Sequence, residues 1–205
     1  MTATVLLVRH GETTWNRAGR IQGWADSTLT DRGRDQARAV GSHLLDDYAV
    51  DRLVVSDLKR TRETAEVLRE TGLDVGPSPS RAWRERHFGE LQGATRTDAA
   101  SRHATFHREG SLLAVQSVPG GESLPAFETR VREGWRALVD AVDAGETAVV
   151  VTHGGPIRAV LAEITGRDLS SFAADFSPSN CGVTAIECRT EPSLVARDRT
   201  EHLPG

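Results

Sequence analysis

Cysteine, lysine and long apolar stretches are scarce in this sequence of 205 residues. Its two cysteines, Cys181 and Cys188, are too few for the disulfide framework that stabilises small secreted domains. No apolar run approaches the roughly 20 residues that a membrane-spanning helix needs. The start, MTATVLLVRHG, has neither a cationic leader nor a signal-peptide core. The sequence therefore predicts a cytoplasmic protein without a membrane partner.

The charge balance argues against a nucleic-acid partner. The formal net charge is −4 and the sequence pI is about 6.0, so no broad basic field is present. Lys59 is the single lysine among 25 basic residues, a bias that we attribute to genome composition. With 38% apolar and 26% charged residues, the length fits one globular domain. Any anion-binding site must therefore be local.

Predicted strands and helices alternate along the chain. Buried-type strands are expected at 4–8, 53–55, 148–152 and 183–187, with helices starting at Thr30, at Ser56 or Asp57, near Pro125 and after His153. This order predicts an α/β three-layer sandwich, with helices on both faces of a largely parallel sheet. Residues 1–189 are expected to form one domain. Within it, about 72–122 should form a small cap of loops and short helices over the carboxyl ends of the strands, and 190–205 a loose polar tail.

Arginine and histidine follow three of the predicted strands. Arg9 and His10 come directly after the first, Arg60 lies one turn beyond the second, and His153 follows the Val-rich third. Ligands of open α/β sheets gather beyond the carboxyl ends of the strands, so we expect these side chains to converge. Glycines beside both histidines would let the backbone approach a ligand, and a helix N-terminus offers N–H groups to an anion. The sequence predicts an anion site at this edge.

A phosphoryl group fits these residue types. Arg9 and Arg60 offer bidentate donors for its oxygens, and a neutral His10 could act as nucleophile, since neighbouring arginines disfavour a cationic ring. Glu85, in the predicted cap, could supply a proton to the leaving oxygen. Taken alone, a histidine or a surface carboxylate is more often structural or solvated. Position in the chain does not by itself single out Glu85.

The ordered motifs carry a family resemblance. The opening Arg9-His10-Gly11-Glu12-Thr13-Thr14-Trp15-Asn16 is similar to the signature of the histidine phosphatase superfamily, also called the phosphoglycerate mutase-like family. Further blocks match in order: Arg20-Ile21-Gln22-Gly23, Ser56-Asp57-Leu58-Lys59-Arg60-Thr61, Glu85 with Phe88-Gly89, Gly120-Gly121-Glu122-Ser123, and Thr152-His153-Gly154. The resemblance covers residues 4 to about 188.

The resemblance implies a two-step phosphoryl transfer without metal ion or cofactor. His10 would attack phosphorus and become phosphohistidine, while Glu85 protonates the departing alkoxide and then activates water. The implied catalytic set is His10, Glu85, His153, Arg9 and Arg60, and the implied substrate-binding set is Arg9, Asn16, Gln22, Gly23, Arg60, Arg96, His153 and Gly154. His153 would be a donor, and the two histidines would need pKa values that their environments push apart.

Hydrolysis and mutase-type transfer are both compatible with the motifs. Phe88 stands where mutases have tyrosine, and Arg96 falls near their carboxylate-binding lysine. Only a short stretch separates Arg108 from Glu122, where the resemblance to mutases would lead one to expect a long insertion that closes the site. An open site lets water accept the phosphoryl group, so we favour a phosphomonoester hydrolase. The third reading is a non-catalytic phosphoanion-binding module.

The expected partner is a small phosphomonoester. Six cap arginines suggest a substrate with a second negative group: Arg81, Arg84, Arg86, Arg96, Arg102 and Arg108. His103 and His107 have the spacing of a metal pair on a helix, but a zincin glutamate and a third ligand are not evident, so no metal site is predicted. A homodimer is compatible with the sequence.

Overall fold

The computed structural model describes residues 2–102 and 111–205. The strands are β1 (Ala3–Arg9), β2 (Arg52–Ser56), β3 (Pro77–Ser80), β4 (Thr147–Thr152), β5 (Val183–Cys188) and β6 (Pro192–Arg199). The α-helices are α1 (Thr14–Arg17), α2 (Asp31–Asp47), α3 (Lys59–Glu70), α4 (Arg96–Arg102), α5 (Leu124–Ala141), α6 (Gly154–Thr165) and α7 (Leu169–Asp175).

The sheet confirms the predicted α/β class. Its strand order is β3-β2-β4-β1-β5-β6, and every strand runs parallel to β1 except β5, which is antiparallel to both of its neighbours. Side chains of β1 alternate between two cores: Val5 and Leu7 pack in one, and Leu6 and Val8 in the other. Helices α5 and α6 supply apolar residues to the first core, and α2 and α3 to the second. The three predicted layers are therefore present.

Three of the four predicted helix starts are confirmed: at Thr30, near Pro125 and after His153. Thr30 caps α2, since its Oγ1 accepts from the Gly33 N–H at 3.0 Å. Ser123 caps α5 in the same way, one residue before the helix begins, with Pro125 in its first turn. The prediction that Ser56 or Asp57 caps α3 is wrong. Leu58 occupies the N-cap without a side-chain bond. The side chains of Ser56 and Asp57 are engaged elsewhere, by His153 and Arg84.

The region between 72 and 122 consists, where described, mostly of loops, single 3₁₀ turns and the short helix α4. It also contains β3, which the sequence analysis missed because Pro77 and Pro79 argue against a strand. Proline is tolerated there because β3 is at the edge of the sheet and pairs only with β2.

The expectation of a loose tail from residue 190 is wrong for most of that segment. Residues Pro192–Arg199 form β6 and pair with β5, with Ile186 opposite Leu194 and Ala185 opposite Ala196. Its residues alternate between partly buried and exposed, so a half-solvated edge strand reads as a polar tail in the sequence. Helix α7 was also missed. No helix in the described parts of the chain has the length and apolar character needed to cross a bilayer.

Candidate active site

The predicted site residues meet at one cavity of about 450 Å³. Nine of the ten line it: Arg9, His10, Asn16, Gln22, Gly23, Arg60, Glu85, Arg96 and Gly154. His153 does not line it. Its ring is fully buried against that of His10, with the two ring centroids 5.2 Å apart.

The pairing of β1 with β4 brings the two histidines together. Arg9 lies opposite Thr152 in the parallel ladder, and the His10 N–H donates to the Thr152 carbonyl at 3.0 Å. Each histidine is therefore the first residue beyond its strand, at the same edge of the sheet. The predicted convergence of the two histidines at the carboxyl ends of these parallel strands is confirmed.

The hydrogen bonds of His10 select one neutral form of its ring. Nδ1 lies 2.8 Å from the carbonyl oxygen of Gly11, which can only accept, so Nδ1 carries the proton. Nε2 accepts from Arg60 Nε at 3.2 Å. Burial holds the pKa of His10 well below its usual value, and the charges of Arg60 and Arg9 lower it further. An unprotonated Nε2 beside a cavity is the form that a nucleophile requires.

Arg60 is a fully buried arginine held by backbone carbonyls. Its guanidinium donates to Gly23 at 2.7 Å and to Ala25 at 3.2 Å, besides His10. Burial lowers its pKa to about 10, and Arg9 adds to that effect while Glu85 opposes it. It therefore remains cationic at neutral pH and faces the cavity as a fixed positive charge.

Arg9 carries a buried donor with no partner among the described residues. Its NH1 donates to the Pro178 carbonyl at 2.5 Å, whereas Nε is buried and unpaired. Burial lowers the pKa of Arg9, while Glu85 and Asp198 raise it. A buried donor left unpaired is costly, so this N–H is suited to an oxygen of a bound anion.

His153 departs from the expectation made for it. Its pKa lies well below the usual value, as that of His10 does, because burial and the charge of Arg60 both act on it. The expectation that the two environments push the pKa values apart is not supported, because both environments lower the pKa and neither favours a cationic ring. Nε2 of His153 lies 2.8 Å from Ser56 Oγ, and Nδ1 is buried with no partner in the described chain. If the Ser56 hydroxyl donates to Nε2, the proton resides on Nδ1, and neutral His153 is still a donor.

These two histidines make folding sensitive to mild acid. In the unfolded chain a histidine pKa is near 6.5, and in the folded protein both values lie well below it. Below about pH 6.5 the unfolded chain takes up protons that the folded protein does not, so stability is complete above this pH and falls as pH falls. Each histidine contributes up to about 1.4 kcal/mol per pH unit in that window. We expect a lower melting temperature at pH 5 than at pH 7.5, with a shallower slope in His153→Gln; an unchanged slope would contradict this origin.

Glu85 is held by two backbone N–H groups. Oε1 accepts from the Arg86 N–H at 2.9 Å and Oε2 from the Gly155 N–H at 3.1 Å. Its backbone carbonyl accepts from the Trp24 indole at 2.6 Å and from Arg130 at 3.3 Å. The carboxylate of Glu85 is therefore tied to α6, and its backbone carbonyl to α5.

Gly155 provides the space that Glu85 occupies. A Cβ atom at position 155 would overlap Glu85 Oε1 and lie 3.1 Å from the ring of Phe127. We expect Gly155→Ala to displace the Glu85 carboxyl and to lower kcat by about ten- to a hundredfold, since small displacements of reacting groups are this costly. Gly76→Ala is the control, because a Cβ there meets nothing within 4 Å. Wild-type kcat in Gly155→Ala would contradict the assigned contact.

Asn16, Gln22 and Gly23 form one wall of the cavity. Asn16 Oδ1 accepts from the N–H and hydroxyl of Thr13, and Gln22 Oε1 accepts from Ser27 Oγ at 2.5 Å. With their oxygens thus engaged, the NH₂ groups are the parts that can serve a ligand. Gly23 has φ of +53°, which favours glycine, and its carbonyl accepts from Arg60.

The arginines of the cap do not act as one anion-binding set. Arg84 pairs with Asp57 through two bonds of 2.6 Å, and Arg81 lies 3.7 Å from the same carboxylate. Arg86 is fully buried and donates to carbonyls of the cap. Of the four whose side chains the structure describes, only Arg96 is found on the wall of the cavity. Arg108 lies outside the described residues, as does the side chain of Arg102.

Arg158 is a site residue that the sequence analysis missed. It lies one turn after Gly154 on α6 and lines the cavity. Its Nε donates to the Phe176 carbonyl at 2.6 Å, and burial lowers its pKa to about 10, with Arg9 and Arg96 adding to the effect. Helical spacing from Gly154 was the signal that could have identified it, because residues four apart share a helix face.

A resident metal site does not appear in the described parts of the chain. There, no three His, Cys, Asp or Glu side chains are grouped so that they could hold a metal ion. His103 and His107 lie outside the described residues, so the prediction that they bind no metal stays a prediction.

A largely parallel sheet whose edge cavity is lined by His10, buried arginines and a carboxyl group, with His153 packed behind His10, fits an α/β enzyme of phosphoryl transfer. A family model described as histidine phosphatase superfamily (branch 1) matches residues 5–197. The chain belongs to this superfamily.

Relatives of the chain include both mutases and phosphatases. The 2,3-bisphosphoglycerate-dependent phosphoglycerate mutase 2 of Gloeobacter violaceus is 35% identical over 168 residues, which cover 79% of this chain and 75% of that protein. The metal-independent phosphoserine phosphatase of Arabidopsis thaliana is 36% identical over 165 residues, covering 78% of this chain and 68% of that protein. The solved structure of Bacillus stearothermophilus YhfR is similar with a TM-score of 0.89 at 28% identity, covering 98% of this chain and all of that one. Family and relatives together support a general phosphatase or phosphoryl-transfer activity.

Proposed function

We propose that this chain is a metal-independent phosphomonoester hydrolase that works through a phosphohistidine at His10. The observation that carries the proposal is the neutral His10 ring, whose Nδ1 is tied to the Gly11 carbonyl and whose Nε2 is unprotonated beside the cavity. A ring fixed in this tautomer can attack phosphorus without first losing a proton, once Arg60 Nε, which donates to the Nε2 lone pair at 3.2 Å, turns to a phosphoryl oxygen.

In the first step Nε2 of His10 forms a bond to phosphorus while the ester P–O bond breaks. Glu85 gives its proton to the departing alkoxide oxygen, so the alcohol leaves neutral. In the second step a water oxygen attacks phosphorus, the P–N bond breaks, and Glu85 takes the proton of that water. Phosphate leaves, and His10 returns to its neutral form.

The hydrogen-bond donors around His10 suit the negative charge of the phosphoryl oxygens. Arg9 Nε and Arg60 would donate to the phosphoryl oxygens from the cavity wall in both steps, and the Nδ1 proton of His153 would donate from behind the His10 ring. Two of these, Arg9 Nε and His153 Nδ1, are the buried polar atoms at the site without a partner in the described chain. Binding of a phosphoryl group would satisfy both.

We propose that the natural substrate carries a second negative group. Arg158 and Arg96 add positive charge to the cavity beyond the groups assigned to the phosphoryl oxygens. A small cytoplasmic metabolite with a carboxylate or a further phosphate fits this charge. The comparison of 3-phosphoglycerate with glycerol 3-phosphate tests it, since the two differ by a carboxylate in place of an alcohol. Equal kcat/KM for the pair would remove this part of the proposal.

The deciding experiment is phosphate release by the purified protein in the presence of a chelator. The panel holds p-nitrophenyl phosphate, sugar phosphates, nucleotides and 3-phosphoglycerate. Release under these conditions is the expected result. Interconversion of phosphoglycerates without net release would favour the mutase, the second candidate, which the 35% identical relative supports. Phosphate binding without either reaction would favour the non-catalytic module.

A further inference from the structure

A carboxylate of the C-terminal strand reaches back to the loop of residues 177–182, hereafter the 177–182 loop. Asp198, in β6, accepts from the Ser179 N–H and from the Ser179 hydroxyl, both at 2.8 Å. Its own N–H donates to Thr184 Oγ1 at 3.2 Å. A Cβ atom at Gly182 would overlap the carboxylate, so the loop packs closely on Asp198. The carboxylate therefore fixes the middle of this loop to the sheet.

The 177–182 loop also contacts Arg9 and His10, the two site residues at the end of β1. The Pro178 carbonyl accepts from the Arg9 guanidinium at 2.5 Å, and the Cys181 N–H donates to the Arg9 carbonyl at 2.9 Å. The Asn180 side chain donates to the His10 carbonyl at 2.8 Å. The 177–182 loop thus contacts Arg9 through its side chain and backbone, and His10 through its backbone.

The 177–182 loop contains a disfavoured backbone conformation that contacts outside the loop must stabilise. Cys181 has φ of +55°, in the left-handed region that residues other than glycine disfavour. Such a conformation persists where its surroundings hold it in place. Asp198 itself has φ of +53°, which aspartate adopts more readily than most residues. Its charge also raises the pKa of Arg9, against the effect of burial.

We propose that Asp198 is a positioning residue of the phosphoryl site, which acts through Ser179 and the 177–182 loop to orient the Arg9 guanidinium and the His10 backbone. This inference rests on the proposed function for the role of Arg9, and it adds a residue from a strand that the sequence analysis took for a loose tail. Asp198 does not line the cavity.

The test is a double-mutant cycle between Asp198 and Arg9, read as the affinity for inorganic phosphate by calorimetry. Asp198→Gly removes the carboxylate but accepts the positive φ, so the backbone of β6 is not strained by the change. We expect about tenfold weaker phosphate binding in Asp198→Gly, and about a hundredfold in Arg9→Gln. In the double variant the loss should fall well short of the product of the two single losses, because the part of the effect of Asp198 that passes through Arg9 is already absent in Arg9→Gln. Losses that multiply would overturn the proposal.

Two further variants separate positioning from general loosening of the strand. Ser193→Gly also introduces a glycine into β6, but at its distal, exposed end. It should lower the melting temperature without changing phosphate affinity. Asp198→Asn keeps a carbonyl acceptor for the Ser179 N–H and a donor for its hydroxyl, so it should stay within about twofold of wild type. A loss in Asp198→Asn equal to that in Asp198→Gly would assign the effect to charge and reject the role of the loop.

Measuring kcat/KM as well as phosphate binding separates a failure of this proposal from a failure of the proposed function. With p-nitrophenyl phosphate, kcat/KM should fall about tenfold in Asp198→Gly and remain near the wild-type value in Ser193→Gly. A wild-type protein that binds phosphate but hydrolyses nothing would remove the hydrolase, while the binding cycle would still decide the role of Asp198.

Discussion

Replacing His10 with alanine is expected to lower phosphate release by at least about 10⁴-fold, the scale on which removal of an enzyme nucleophile acts. The physical reason is the loss of the one unprotonated nitrogen that the hydrogen bonds of the site present beside the cavity. Arg9 and Arg60 remain in place and can still bind phosphate. The substitution should therefore remove chemistry while sparing affinity for the product.

Two measurements check this expectation. Steady-state release with p-nitrophenyl phosphate gives the rate, and quenched incubation with labelled substrate detects acid-labile, alkali-stable protein phosphate. Both signals should vanish together in His10→Ala. His43→Ala is a suitable control, because that ring stacks on His202, away from the cavity. Full activity in His10→Ala would show that the proposed intermediate is wrong.

The central part of the fold was predictable because its signals are local. The apolar runs of β1 and β4 mark strands buried on both faces, and the residues that follow them fall at one sheet edge by topology alone. The position of His10 next to His153 follows from this rule. Strand ends in a parallel sheet need no knowledge of side-chain packing to be placed together.

Contacts between distant segments were not predictable from local patterns. Arg84 pairs with Asp57 and is thereby withdrawn from the ligand, although its place in an arginine-rich cap suggested the opposite. Strand β6 was missed for a related reason, since its pairing with β5 and the bonds of Asp198 to Ser179 are visible only in three dimensions. Charge composition identifies which residues can bind an anion, and tertiary partners decide which of them remain available.

The protonation state of the two histidines depends on their burial and on neighbouring charges, which a sequence motif does not specify. Motif logic led to the expectation that His10 and His153 have pKa values pushed apart. Both rings are buried at the same edge among the same arginines, so desolvation and repulsion lower both pKa values. The difference between the rings lies in their hydrogen bonds, to Gly11 and Arg60 in one case and to Ser56 in the other.

Glu85→Gln is expected to lower kcat by about 10²- to 10⁴-fold, the usual contribution of a general acid or base. A glutamine can neither protonate the leaving oxygen nor accept the proton of water. Phosphate affinity should stay within a few-fold of wild type, because the groups proposed to bind the phosphoryl oxygens are unchanged. The split between kcat and phosphate affinity distinguishes this variant from changes at Arg9 or Arg60.

Comparing two substrates whose leaving groups differ in their need for a proton tests the role of Glu85 as proton donor more directly. p-Nitrophenolate departs without a proton, whereas the alkoxide of glycerol 3-phosphate must be protonated as it leaves. Phosphoenzyme formation in Glu85→Gln should therefore be impaired far more with glycerol 3-phosphate than with p-nitrophenyl phosphate. Glu90→Gln, an exposed carboxylate on the same segment, is the matched control and should behave as wild type with both substrates. Equal impairment of phosphoenzyme formation with the two substrates would show that Glu85 does not protonate the leaving group.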